Sequence, residues 1–426
     1  MNFLFSRLLF TWFLLLFCSL TARADVSFFL QEAVGFAARW NSAGHASVHL
    51  SNVCTDNYTQ LRPCRAGERG VVLSSFRDLG AEENYEWIAV PLVPFLYGVV
   101  DERDVPLYVN EKILAALRER YRRTQMLELI PVANDGYWQH LVGAALTRDI
   151  YAFTVTTTPE QDAAFIAAFN RAPNVNHFRQ LSNNCTDFAA RVLNQFYPNS
   201  ARRDWLNDFG TITPQAIAKS FAKFAQKNPD LQLRVTRYTQ AHGTLRRSQT
   251  ARKLTQEALS SPKYLAPLLY WQPYIAAGFA GSYFLFGRFD PERAYRHQQA
   301  EQLPVLGTKQ MWQQAQTVFT PVLQRAIADG VFTDARAVKT FFRALEQSGV
   351  PSFDEHGALV LKTNHATLGL TRDNILSNDQ TLAQQLLLTK LQAELQAKAK
   401  NRDTYAAWQS NWTLLLTLRA NAPTTP

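Results

Sequence analysis

Cysteine is scarce in this chain, with four in 426 residues at positions 18, 54, 64 and 185. With Cys18 inside an N-terminal leader, three remain, and an odd number cannot all pair. Cys54 and Cys64 flank the short polar loop 55–63 and form the expected disulfide. Cys185 is left over. Also absent are a sequence repeat, a nucleic-acid-binding motif and the glutamate that a zincin-type His-x-x-x-His pair needs. On a strand, His45 and His49 lie ~13 Å apart and cannot share a metal ion. No metal, cofactor or nucleic acid is therefore expected. Acidic side chains almost vanish between Arg234 and Lys263, where Glu257 stands alone against seven Arg and Lys residues.

The leader runs over residues 1–24, with Arg7, an apolar run from Leu8 to Phe17, and Ala22-Arg23-Ala24 as the small-x-small cleavage site. Leu16-Phe17 before Cys18 argues against lipidation there. Loss of Arg7 and Arg23 takes the formal charge from +9 to +7. That mildly basic balance suits an anionic envelope surface. The chain is expected to be exported, periplasmic or envelope-associated.

The length predicts more than one core. Residues 25–230 read as the chemical domain, 231–263 as a basic connector, and 264–426 as a mainly helical domain. Within the last, residues 264–286 are apolar and rich in aromatics. Pro267 and Pro273 interrupt the segment, and its basic flank would lie on the exported side, so simple membrane spanning is disfavoured. A buried helical hairpin and an interfacial membrane segment remain as readings. Candidate helices follow at Met311 to Ala328, Asp334 to Gln347 and Thr381 to Ala399, with a hairpin around Asp354-Glu355-His356-Gly357.

In the first domain a hairpin is expected, with strand His45 to Val53 pairing Gly70 to Phe76. Folding it about residue 60 sets His45 opposite Ser74 or Ser75. Further strands are expected at Glu86 to Val93 and Tyr151 to Thr157, and a helix at Ile113 to Tyr121. Thr158-Pro159-Glu160-Gln161 carries an N-cap, a proline at the first helical position and an acidic first turn.

Asn183 and Asn184 precede Cys185, and Phe188, Val192, Leu193 and Phe196 recur at helical spacing, so Cys185 opens a helix. Free N–H groups and the helix dipole there favour the thiolate, the nucleophilic form. His45, on a strand, is the expected base, with His177 as its rival. The Cys185 N–H, helped by Asn183 or Asn184, is the expected oxyanion donor.

A strand of the form Gly-His-x-Ser-x-x-Leu followed later by Asn-Cys-x-x-Phe resembles circularly permuted members of the NlpC-like papain superfamily, which includes lecithin retinol acyltransferase. Gly44-His45, Phe95-Leu96-Tyr97-Gly98, Thr158-Pro159-Glu160-Gln161 and Asn183-Asn184-Cys185-Thr186, in that order, resemble more closely the periplasmic domain of Lnb-type lipoprotein N-acyltransferases, over roughly residues 30 to 200. The resemblance implies an α+β fold, in which a permuted papain-like domain packs an antiparallel sheet on a nucleophile helix, before the mainly helical part. It also implies a Cys185 nucleophile, a His45 base and an acyl thioester. Ser74 or Ser75 is the candidate third polar group.

The first functional reading is an exported thiol acyltransferase or hydrolase acting on lipid or lipoprotein acyl groups, with membrane contact through 264–286. A papain-like amidase or endopeptidase on peptidoglycan peptides, and a non-enzymatic envelope scaffold, are the alternatives.

Overall fold

The computed structural model describes residues 24–302, apart from 35–42, 78–84, 107–108, 132–136, 180–181, 209–210 and 242–244, and residues 349–369 apart from 363–366. Its strands are β1 Ala24–Gln31, β2 His45–Leu50, β3 Val53–Cys54, β4 Arg62–Pro63, β5 Val71–Ser74, β6 Ile88–Pro91, β7 Ile150–Thr157 and β8 Arg234–Tyr238. Six form one antiparallel sheet in the order β6-β5-β2-β1-β7-β8, while β3 and β4 make a ribbon inside the disulfide loop.

The sheet is buried on both faces. On one face Phe28, Ala46, Val48, Leu73 and Phe153 meet Phe188, Val192 and Leu193 of the helix Cys185–Phe196 and Phe221 of the helix Pro214–Lys227. On the other, Phe29, Val72, Val90 and Ile150 meet Phe95, Trp138 and Leu141. Each such large side chain contributes roughly 1.5–3 kcal/mol by leaving water. The layout is α+β, and the helix that begins at Cys185 lies on the sheet, as expected.

β8 falls within the basic stretch 231–263 and pairs with β7, from Ile150 opposite Tyr238 to Thr154 opposite Arg234. Ion pairs explain why these cations join the fold. Arg237 binds Asp149 and Glu292, and Lys253, fully buried, binds Asp204. The stretch supplies an edge strand.

Residues 264–286 fold as the helices Pro262–Trp271 and Pro273–Ser282, which meet at Gln272 and run into a π-helical turn, Tyr283–Gly287. Proline at the first position of the second helix sets the break. The buried-hairpin reading is corrected here, because Tyr270, Trp271 and Tyr274 are 80%, 73% and 90% exposed. No helix among the described residues is long and apolar enough to cross a membrane. The expected hairpin is present as β9 Val350–Phe353 and β10 Leu359–Lys362, and β11 Thr367–Gly369 extends it to three strands. Residues 1–23 and the three candidate helices between Met311 and Ala399 lie outside the described residues.

Candidate thiol site

Asn184 caps the helix that Cys185 opens. Its Oδ1 accepts from the N–H of Thr186 at 2.8 Å and of Asp187 at 3.2 Å, and Asp187 Oδ2 accepts from the Asn184 N–H at 3.1 Å. This reciprocal box holds the first turn and fixes Cys185 at its first helical position. The Phe188 N–H donates to the Asn184 carbonyl, so the Cys185 N–H is the first-turn donor left for a substrate oxygen. Asn183 donates from Nδ2 to the His177 carbonyl at 3.0 Å and accepts from Arg191 at 2.6 Å. The side chains expected to help at an oxyanion thus serve as a loop tie and a helix cap.

Cys185 is half-buried and is a free thiol, while Cys54 and Cys64 form the expected disulfide with Cα atoms 4.9 Å apart. Sγ lies 3.9 Å from Thr186 Oγ1 and faces the Ala46 N–H, the backbone donor next to His45. The β2–β5 ladder ends at Val48 opposite Leu73, so Sγ meets β2 two residues beyond the last rung.

The activated thiolate expected from the helix start is not what this site holds at rest. Burial pushes the Cys185 thiol up and the Asp187 charge adds to that, against the Ala46 and Thr186 donors. The dipole's effect is blunted because Asn184 and Asp187 already engage the first-turn donors.

His45 is buried at the start of β2, and strand alternation sends it to the face of Ser47, His49 and Phe29, opposite the cysteine helix. The ring stacks on Phe76, with centroids 4.1 Å apart. Nε2 is buried without a hydrogen-bond partner. Burial first, then the charges of Arg148 and His140, push its pKa well below the usual histidine value. Cys185 and His45 therefore occupy one end of the sheet as a neutral thiol and a neutral imidazole with no hydrogen bond between them.

The register corrects the third polar group. Each β2–β5 pair sums one residue further than the sequence fold-back, which carries His45 opposite Phe76 in place of Ser74 or Ser75. Ser74 lies on the His45 face, buried, with Oγ unpartnered. Ser75 is buried and falls on the other face by alternation. His177 is exposed. His49 is structural, its Nε2 2.8 Å from the Arg69 carbonyl and its ring against Phe29.

Sequence reasoning missed Arg148. It is 6% exposed, stands just before β7, and reaches His140 Nδ1 at 3.5 Å, while its Nε has no partner. Burial lowers its pKa to about 10, so it stays charged at neutral pH, and a Cys185 thiolate would support that charge. His140 is lowered to about 4 by burial and by Arg148 and Arg118. A single arginine in Leu146-Thr147-Arg148-Asp149 carries no sequence signal of such a role.

A cavity of about 620 Å³ opens elsewhere, beside the disulfide loop, lined by Tyr58, Arg62, Glu68 and Tyr121 among others. It contains neither Cys185 nor His45, and the chemistry is assigned to the residues above.

The chain is similar to the crystal structure of a type VI secretion system effector, TseH, at 12% identity and a TM-score of 0.25, over 50% of this chain and 97% of that one. A likeness of that size carries no argument. No family model and no curated protein matches the chain.

Proposed function

We propose that the protein is a thiol enzyme that opens an amide or ester through an acyl thioester on Cys185. The observation that carries this reading is the free thiol at the first position of a capped helix, seated on the Ala46 backbone beside His45. Sγ attacks the carbonyl carbon, and its proton passes to His45 by way of water at the end of β2, where Arg148 lies within the field of both groups. The Cys185 and Ala46 N–H groups donate to the oxyanion, and His45 returns the proton to the departing amine or alcohol. Water or a second amine then takes the acyl group from sulfur. The order of His45 before Cys185 fits a circularly permuted papain-like domain.

Between the substrates expected from sequence, the surroundings favour a polar acyl compound such as a peptidoglycan peptide. Apart from the Phe76 ring stacked on it, His45 has Gln31, Ser47, Ser74, His140 and Arg148 about it, more polar groups than an acyl chain would favour. The exposed large apolar side chains of Tyr270, Trp271, Tyr274, Phe284 and Leu285 favour the second reading, acyl transfer from lipid at a membrane surface. The Cys54–Cys64 disulfide supports export to an oxidising compartment.

Intact-mass measurement of wild type and Cys185→Ser, after incubation with peptidoglycan fragments and separately with envelope lipids, tests the proposal. A Cys185-dependent acyl adduct or cleavage with the peptides is expected. An adduct of fatty-acyl mass would select the lipid reading, and inertness of Cys185 toward both would overturn the thiol-enzyme assignment.

A further inference from the structure

Four buried polar atoms without hydrogen-bond partners belong to side chains gathered at the His45 end of the sheet: Gln31 Oε1, His45 Nε2, Ser74 Oγ and Arg148 Nε. Gln31 stands opposite His45 across β1 and β2, and its Nε2 donates to Ser47 Oγ at 2.9 Å. Continuing the β2–β5 register sets Ser74 beside Ser47. The Phe76 ring stacks on both His45 and His140, and His140 meets Arg148. Buried polar groups are normally satisfied, and several orphans on one face mark a place where a polar group is missing.

Because one of the four belongs to a buried cation, an anion is the partner that would suit them. Among the described residues no carboxylate pairs with Arg148, although a buried guanidinium ordinarily needs one. Among the described residues its charged neighbour is Arg118, its titratable neighbours are His45 and His140, and the Cys185 thiol is the acid-forming group that favours its charge. We propose that Arg148, with Ser74 and His45 beside it, binds a carboxylate carried by the acyl substrate close to the carbonyl that Cys185 attacks. This rests on the thiol-enzyme reading and narrows its substrate class to carboxylate-bearing acyl compounds. Guanidinium and hydroxyl would donate to the two carboxylate oxygens. Binding would also neutralise the charge that suppresses His45, so the base would gain strength when the right substrate is present.

The test compares alkylation of Cys185 by iodoacetate, which sets a carboxylate next to the reacting carbon, with alkylation by neutral iodoacetamide. In each reaction an Sγ–C bond forms, iodide leaves and the thiol proton is lost. In the native chain the iodoacetate-to-iodoacetamide rate ratio should exceed that of free cysteine by about tenfold or more, the scale of one charge-assisted hydrogen bond. Arg148→Lys should retain part of the excess and Arg148→Gln none. A native ratio no higher than that of free cysteine overturns the proposal, as does an excess that survives in Arg148→Gln. If Arg148→Gln does not fold, the native wild type against the same chain in urea decides the matter. Ready iodoacetamide alkylation without selectivity removes the carboxylate site and leaves the acyl-thioester reading intact. Inertness to both reagents removes both.

Discussion

His45 and Phe76 stack at 4.1 Å and within 14° of parallel, and the imidazole so covered has no partner for Nε2. The aromatic lid and the nearby Arg148 cation both hold the ring neutral. A residue read as a general base is thus kept weak until something enters its surroundings.

Replacing the lid tests that relation. In Phe76→Ala, water reaches the ring and the His45 pKa should climb back toward 6.5, read as a shift in its NMR titration midpoint. An unchanged midpoint would mean that Phe76 does not control the imidazole.

Acid should destabilise the fold. His45, His49 and His140 all titrate lower in the folded chain than the ordinary 6.5. Above that pH both states are neutral and the contribution is complete. Below it the unfolded chain takes up protons first, so stability falls as pH drops through about 6.5 toward the folded values. Asp208, raised to about 6 by burial, acts in the opposite direction below pH 6. His140→Asn should remove up to about 3 kcal/mol of the loss between pH 7 and 4, its folded value being about 4. Parallel denaturation curves for variant and wild type at both pH values would refute the assignment.

Asn184→Ala should cost about 1–2 kcal/mol, as loss of a good N-cap does. It should also slow alkylation or acylation of Cys185, since the cap sets that residue's position. Asn184→Asp, which keeps the acceptor, should restore most of the stability. Lost stability with unchanged thiol kinetics would separate capping from positioning.

Gly44 precedes His45 at φ +76°, and a Cβ there would stand 2.2 Å from the Gln31 carbonyl oxygen. An unstrained Gly→Ala change stabilises by up to about 1 kcal/mol; Gly44→Ala should instead destabilise by more than that amount and shift the start of β2. A melting temperature equal to wild type would show that the loop relaxes freely.

Local chemistry made much of this legible. Thr158 is the expected N-cap of the helix Pro159–Arg171, where Gln161 closes a reciprocal box, Asn184 caps the Cys185 helix, and the two close cysteines are joined. The expected helix Ile113 to Tyr121 lies inside Glu111–Gln125, and the strand from His45 is β2. What failed depended on distant partners. β1 follows the apolar run Leu8 to Phe17 in the sequence, and burial on both faces removes the simple in-out alternation that marks an exposed strand. The fold-back of β5 on β2 missed by one residue, enough to exchange a serine for Phe76, because a loop's midpoint does not fix register. Arg148 gains its meaning only from the groups that fail to neutralise it.

The place of β1 also constrains how the molecule forms. The first described strand is central, and its inner neighbour β7 is far along the chain: Ser27 Oγ meets Thr154 Oγ1 at 2.8 Å across 127 residues. Such a ladder closes only after a long loop has been drawn in, which slows folding. Until β7 arrives, Phe28 and Phe29 have an open strand edge beside them. The cysteine helix therefore has no finished sheet to lie on until β7 has been drawn in.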